Sequence, residues 1–192
     1  MIALSACRDG ELAALALAGR QAAYGELLNR YRAGVFRIAR YHSGDDDAAL
    51  DLTQQSFIAA FAALKRYDPS QSFAHWIARI AINKCHDWAR RRKVRQFFSF
   101  AKPLDAAHDV SAPEASPETQ VADRQELRRT MAAIASLPAK LKDVLVLRTI
   151  EGLSQSETAR ILGVSEKVVE TRLYRARKTL ADLMDGLSAL RS

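Results

Sequence analysis

The sequence predicts an all-α protein: two small helical domains joined by a flexible linker, the C-terminal one a helix-turn-helix. Apolar residues recur at helical spacing in nearly every segment. No stretch shows the period-two alternation or the β-branched runs of strands. From about Gln96 to Ala115 the helical stripe lapses into Pro103, Pro113, small residues and the acids Asp105, Asp109 and Glu114, which reads as an extended acidic linker. The expected divisions are residues 1–95, the linker 96–115, and residues 116–192.

The first helix is expected from about Arg20 to Tyr41, with Tyr24, Leu27, Leu28, Tyr31, Val35 and Ile38 on one stripe. Arg30, Arg32, Arg37 and Arg40 fall mostly off that stripe, and Ser43 with Gly44 marks the end. Asp45, Asp46 and Asp47 complement the positive N-terminus of a second helix, whose stripe is Ala49, Leu52, Phe57, Ala60, Phe61 and Leu64. Asp68 and Pro69 signal a turn between Arg66 and Ser72, and Ser72 can cap a third helix carrying Phe73, Trp76, Ile77, Ile80, Ala81 and Trp88. Three such stripes close one small core. Ser116, Pro117 and Glu118, a cap followed by proline in the first turn, open the second domain.

Lys and Arg outnumber Asp and Glu by 29 to 22, a formal charge of +7. That excess favours nucleic acid as a partner, with an anionic membrane surface second, although modestly basic proteins also exist that bind neither. No window approaches about 18 uninterrupted apolar residues, and Arg8, Asp9, Glu11 and Arg20 break the Ala- and Leu-rich start, so neither membrane insertion nor a signal peptide is expected. Cys7 and Cys85 stand far apart in unpaired contexts, which fits a reducing cytoplasm better than a disulfide scaffold. Cys85 beside His86 lacks the ligand spacing of a zinc site and reads as a buried helix-face thiol. With no Ser/His/Asp, paired-carboxylate or phosphate-loop constellation, no catalytic residue, cofactor, metal or small-molecule substrate is expected.

The most informative stretch begins at Ser154-Gln155-Ser156-Glu157, a capping box that opens a helix. Ala159 is small where two helices must cross closely, and Gly163 permits a left-handed turn. Val164 fills the space between the helices, and Ser165 caps the next one. Val169 and Leu173 point inward there, leaving Glu166, Lys167, Glu170, Thr171, Arg172 and Arg175 outward. Such a helix suits the major groove, with Lys167, Thr171, Arg172 and Arg175 as the candidate contacts. The competing account is a helical hairpin with a solvated basic face. The basic run Arg90 to Arg95 has two accounts as well: a solvated helix end, or a cationic surface that works with Tyr67, Phe73, Trp76 and Trp88 on single-stranded nucleic acid. Phe73 and Trp88 lie on the apolar stripe, which favours core packing for those two.

These segments resemble, in order, the bacterial RNA polymerase sigma factors of the extracytoplasmic-function type, which retain only regions 2 and 4. Ala23-Tyr24-Gly25-Glu26-Leu27, Tyr31 and Val35-Phe36-Arg37 resemble the opening of region 2, and Asp51-Leu52-Thr53-Gln54-Gln55-Ser56-Phe57 its core-polymerase-binding segment. Phe73 to Ala81 and Arg90 to Lys93 resemble its promoter-melting part. Leu137-Pro138, Val144 to Arg148, Glu151 to Ser154 and Arg172 to Arg177 resemble region 4.

The resemblance implies a dissociable specificity subunit, cytoplasmic and on the nucleoid through polymerase, serving a stress or envelope-response regulon under an anti-sigma partner. It implies that Asp51, Leu52, Gln54, Gln55 and Phe57 meet a coiled coil of the largest polymerase subunit. The minus-ten element falls to Arg66, Tyr67, Asp68, Ser70, Gln71, Ser72, His75, Trp76, Arg79, Asn83, Lys84, Arg90 and Arg91, with a flipped base received by the loop Arg66 to Ser72. The minus-thirty-five duplex falls to Ser165, Glu166, Lys167, Val168, Glu170, Thr171, Arg172, Arg175 and Lys178. The linker would thread near the nascent RNA path and could mimic a strand. Two departures stand out: Gln55 where relatives usually carry an acid, and Val168-Val169-Glu170 where many have a Gly-Thr-Val-Lys type start. A regulator that binds DNA without joining polymerase, or a recombinase with a DNA-binding tail, would use the same helix-turn-helix.

Overall fold

The computed structural model describes residues 3–99 and 118–189, and among these every regular element is helical. The N-terminal lobe comprises α1 (Asp9–Leu17), α2 (Gln21–Ser43), α3 (Asp46–Ala62) and α4 (Phe73–Ser99). The C-terminal lobe comprises α5 (Glu118–Ser136), α6 (Ala139–Leu145), a π-helical turn (Val146–Ile150), α7 (Gln155–Leu162) and α8 (Glu166–Ala189). The anticipated linker acids and the Ser116-Pro117 start lie outside the described residues.

Local chemistry explains the boundaries. Gly44 ends α2 in the left-handed region at φ 72°, where its N–H reaches the Arg40 carbonyl. Asp45 then caps α3 by accepting from the Ala48 amide at 2.7 Å. Helix α4 runs past the expected boundary, because Gln96 to Ser99 contain no proline or glycine and continue the helix of the basic run before them. Helix α1 was not anticipated. Its residues Leu12, Ala13 and Ala16 are buried beneath α2, so the Ala- and Leu-rich start belongs to the N-terminal core. Leu28, expected on the inner stripe of α2, instead faces solvent. Among the described residues no helix is long and apolar enough to cross a membrane.

The two lobes share one apolar cluster. Val35 and Ile38 of α2 and Ile77 and Ala78 of α4 belong to the same buried group as Ile134, Leu145, Leu147 and Ile161 of the C-terminal lobe. Gly44 sits at this seam, where an added Cβ would meet the Ala135 Cβ at 2.9 Å. Gly44→Ala should therefore lose about 1–2 kcal/mol from the left-handed backbone alone. A clash across the seam adds to that. The expected outcome is a thermal midpoint lower by roughly 2–8 °C, measured by circular dichroism, with the lobes further apart in solution scattering.

Candidate nucleic-acid and polymerase interfaces

The C-terminal lobe presents a helix-turn-helix built as its sequence signals require. Ser154 Oγ accepts from the Glu157 amide at 3.2 Å while the Glu157 carboxylate accepts from the Ser154 amide at 2.7 Å, closing the capping box of α7. Gly163 turns the chain at φ 65°. Ala159 and Val169 pack with Val144 beneath Val164 and Leu173, and the Gln155 side-chain amide donates to the Glu166 carbonyl at 3.1 Å, tying α7 to α8. Ser165 Oγ caps α8 by accepting from the Val168 amide at 3.4 Å.

With Val169 and Ala176 fully buried, the outer face of α8 carries Glu166, Lys167, Glu170, Thr171, Arg175 and Lys178, with Arg172 and Val168 half-buried at its edge. Lys167 and Glu170 pair at 3.0 Å, and the Thr171 hydroxyl donates to the Lys167 carbonyl at 2.9 Å. Tyr174 is 70% exposed on this face. It is absent from the residues expected to meet the duplex, although its position, three past Thr171, puts it on the same helical face.

Helix α3 divides the candidate polymerase contacts into two sets. Leu52 and Phe57 are buried in the N-terminal lobe, Leu52 against Ala39, Ala49 and Cys85, and Phe57 beside Phe61. These two set the helix in place and offer no surface. The outward band holds Leu50, Asp51, Gln54 and Ile58, with Gln55 half-buried beside it; Leu50 and Ile58 are large apolar side chains left facing solvent and were missing from the expected set. The Gln55 amide donates to Asp51 Oδ2 at 2.7 Å.

The loop before α4 is preformed. Asp68 Oδ1 accepts from the Ser70 amide at 2.9 Å, a bond that holds the Asp68 carboxyl below the usual range, and the Tyr67 hydroxyl donates to the Gln71 carbonyl at 2.7 Å. Tyr67 is buried, with its ring in mutual contact with those of Phe73 and Trp76, so it shapes the loop from within. Arg66, Asp68, Ser70, Gln71 and Ser72 are exposed, and Ser72 Oγ caps α4 by accepting from the His75 amide at 3.4 Å. Along α4, Arg79, Asn83, Arg90 and Arg91 are exposed and Lys84 is half-buried. Trp88 packs against the cluster of Ala39, Ala49, Leu52 and Cys85 and carries the Arg92 guanidinium 5.2 Å from its ring centre.

His75 does not face open solvent. Its Nε2 lies 3.4 Å from Glu157 Oε1 across the seam, beside a cleft of about 310 Å³ bounded by α2, α4 and the π-helical turn. Arg37 and Glu151 close one side of that cleft through two hydrogen bonds of 2.9 and 2.8 Å. Deeper in the seam, His42 and His86 both meet Asp143. Burial works to raise the Asp143 carboxyl, but the two imidazoles outweigh it and hold it below the usual range. The Asp143 bond in turn raises His86. Lys142, lowered by burial, donates to the His42 carbonyl at 3.2 Å and to the Ala135 carbonyl. Sequence spacing carries no sign of this cluster.

Comparison with known proteins points to one family. The model of Sigma-70 region 2 matches residues 27–95, and that of Sigma-70, region 4 matches residues 127–180. The sigma factor CnrH of Cupriavidus metallidurans is 40% identical over 181 residues, 93% of this chain and 95% of that one. The ECF sigma factor SigM of Mycobacterium tuberculosis is 34% identical, covering 94% and 86%. The solved structure of CnrH in complex with the cytosolic domain of CnrY superposes with a TM-score of 0.68 at 32% identity, covering 94% of this chain and 99% of that one. RpoE in complex with the anti-sigma factor NepR, from Bartonella quintana, gives 0.64 at 21% identity, covering 84% and 96%, a likeness of fold.

The helical fold and the two matched regions define a sigma-70-type transcription-initiation protein. The chain belongs to the extracytoplasmic-function RNA polymerase sigma factors of the sigma-70 family. As a sigma factor it binds core RNA polymerase and directs it to promoters.

The thiols should report the packing of the N-terminal lobe. Cys85 is buried, and that burial, helped by Asp143, pushes its thiol up to about 12, whereas Cys7 is only half-buried. Native protein should show one fast-reacting thiol at neutral pH, mapped by mass spectrometry to Cys7, with Cys85 modified only after denaturation.

Proposed function

We propose that this sigma factor engages core polymerase through the outward band of α3, opens the minus-ten element with the loop Arg66 to Ser72 and the exposed side of α4, and reads the minus-thirty-five duplex with α8. The observation that carries the proposal is the outer face of α8, where Thr171, Tyr174, Arg175 and Lys178 stand clear of the core while the capped turn before them holds the helix at a fixed angle. Residues 1–95 and 116–192 act as the two functional units, with the segment between them outside both. The chain performs no chemistry of its own; bond formation belongs to polymerase. It works in the cytoplasm, on the nucleoid through polymerase, for a stress or envelope-response regulon.

Control by an anti-sigma partner is part of the same proposal. The solved relatives CnrH and RpoE are complexes with CnrY and with an anti-sigma factor, and this chain offers a cleft between its lobes bordered by Tyr31, Ile77 and Leu147. A free resting form is served by the seam itself. His75, assigned to minus-ten DNA, is turned toward Glu157, so the lobes must part before that residue meets DNA. A regulator independent of polymerase would not require the Leu50, Gln54 and Ile58 band.

In vitro transcription from genomic fragments with core polymerase and this chain is the decisive experiment. Start sites should share a minus-ten and a minus-thirty-five element, and failure to bind core in the absence of an inhibitor protein would sink the proposal. Gln54→Ala should weaken core binding in a pull-down and leave duplex binding unchanged. Arg172→Ala or Arg175→Ala should weaken duplex binding across ionic strengths, reducing the slope of log affinity against log salt by about 1 for each phosphate no longer neutralised.

A further inference from the structure

His42, His86 and Asp143 meet where both lobes touch, and none of them belongs to the promoter- or polymerase-facing surfaces. Nε2 of His42 lies 3.0 Å, and Nε2 of His86 2.9 Å, from the same oxygen, Asp143 Oδ1. The far nitrogen of His42 settles what the near one can do. Nδ1 stands 2.8 Å from the Ile38 carbonyl oxygen; a carbonyl only accepts, so Nδ1 holds the hydrogen. In a neutral imidazole that leaves Nε2 with a bare lone pair aimed at a carboxylate oxygen, itself an acceptor. The two side chains are 4% and 6% exposed, too little for water to screen the repulsion. A cation has to lie between them, either a proton or a metal ion.

The donor set favours the metal. A histidine that gives its far N–H to a backbone carbonyl is oriented as metal-bound histidines are. Two imidazoles and a carboxylate suit zinc and its divalent neighbours, and three protein ligands leave a fourth position for water. Donor atoms around a tetrahedral ion at about 2.0–2.2 Å stand roughly 3.3–3.6 Å apart. The separations here run from 2.9 Å to no more than 4.8 Å and straddle that figure, so side-chain rotation brings all three into range. His86, half-exposed, supplies the entrance. The adverse charge on α6 is Lys142, whose ammonium is already held by two carbonyls and whose burial lowers its proton affinity. Arg90 and Lys93 of α4 add weaker repulsion from outside.

We propose that His42, His86 and Asp143 form a site for a divalent transition-metal ion of the zinc class, and that the ion pins the C-terminal lobe onto the N-terminal one. Two ligands come from α2 and α4 and the third from α6, so binding stabilises the packed arrangement in proportion to its occupancy. The full chain, stripped with a chelator, is titrated with Zn²⁺ or Co²⁺ alone while lobe separation is followed by solution scattering. One ion per chain, visible Co²⁺ bands of a four-coordinate site and a smaller radius of gyration are expected. His86→Ala, at a half-exposed position that spares the fold, should weaken binding about tenfold or more, and Asp143→Asn should do the same. Absence of a stoichiometric ion, or equal affinity in His86→Ala, overturns the proposal. So does a lobe separation that follows pH in the stripped chain and ignores both ions, the behaviour of a proton alone in the gap. None of these measurements involves polymerase or promoter, so the result stands apart from the assignment of recognition surfaces.

Discussion

The apolar seam between the lobes is the constraint on which the rest of the molecule depends. Val35, Ile38, Ile77 and Ala78 bury their side chains in the same cluster as Leu147 and Ile161, and apolar contact of this kind is non-directional, favouring closure without choosing a register. The polar contacts around it make that choice. Arg37 and Glu151 meet in a two-bond geometry, but Arg37 is half-exposed, so the pair contributes little energy beyond orientation. The His42–Asp143 contact is different because it is buried. Its worth relative to an apolar pair is small, yet breaking one partner leaves an uncompensated charge, so it penalises every misaligned closure.

This arrangement separates surfaces that function in the closed form from those that do not. The outward band of α3 and the outer face of α8 point away from the seam and remain available when the lobes are packed. His75 is held within it. On the proposed assignment of these surfaces, closure is compatible with a first encounter with polymerase or duplex, while engagement of His75 with DNA requires the seam to open. The energy for opening has to come from the partners, since their binding can shift the equilibrium only by the difference in affinity between open and closed forms.

What the sequence made legible was local. The helix-turn-helix could be placed to the residue because a capping box, a left-handed glycine and a second serine cap act within a few positions of one another. Helix α1 escaped because its Ala- and Leu-rich run has apolar residues on every side and hence no stripe to detect. On α3 the family motif drew Leu52 and Phe57 into the contact set, whereas helical periodicity had already put them on the apolar stripe; the period was the better guide to orientation. The seam and its histidines were illegible for a different reason. Val35 and Ile38 look like ordinary core residues of one domain, and His42 lies 101 positions from Asp143. No local signal spans that distance.

The departure at Gln55 becomes intelligible at the same level. An acid at this position would stand one helical turn from Asp51, and like charges so placed repel. Glutamine removes that repulsion and adds a donor, and its amide holds the Asp51 carboxylate at 2.7 Å on an exposed part of α3. The band therefore presents one oriented carboxylate flanked by Leu50 and Ile58. A partner surface that matches it needs a single cation set between apolar side chains. If this band is the polymerase contact, as proposed, most of the contact energy comes from burying Leu50 and Ile58 and less from charge, and that attachment is comparatively insensitive to salt. Duplex binding by the Arg- and Lys-bearing face of α8, the contact proposed for it, would have the opposite character. On that assignment the two ends of the molecule hold their partners by different physics, and ionic strength weakens one hold while leaving the other largely in place.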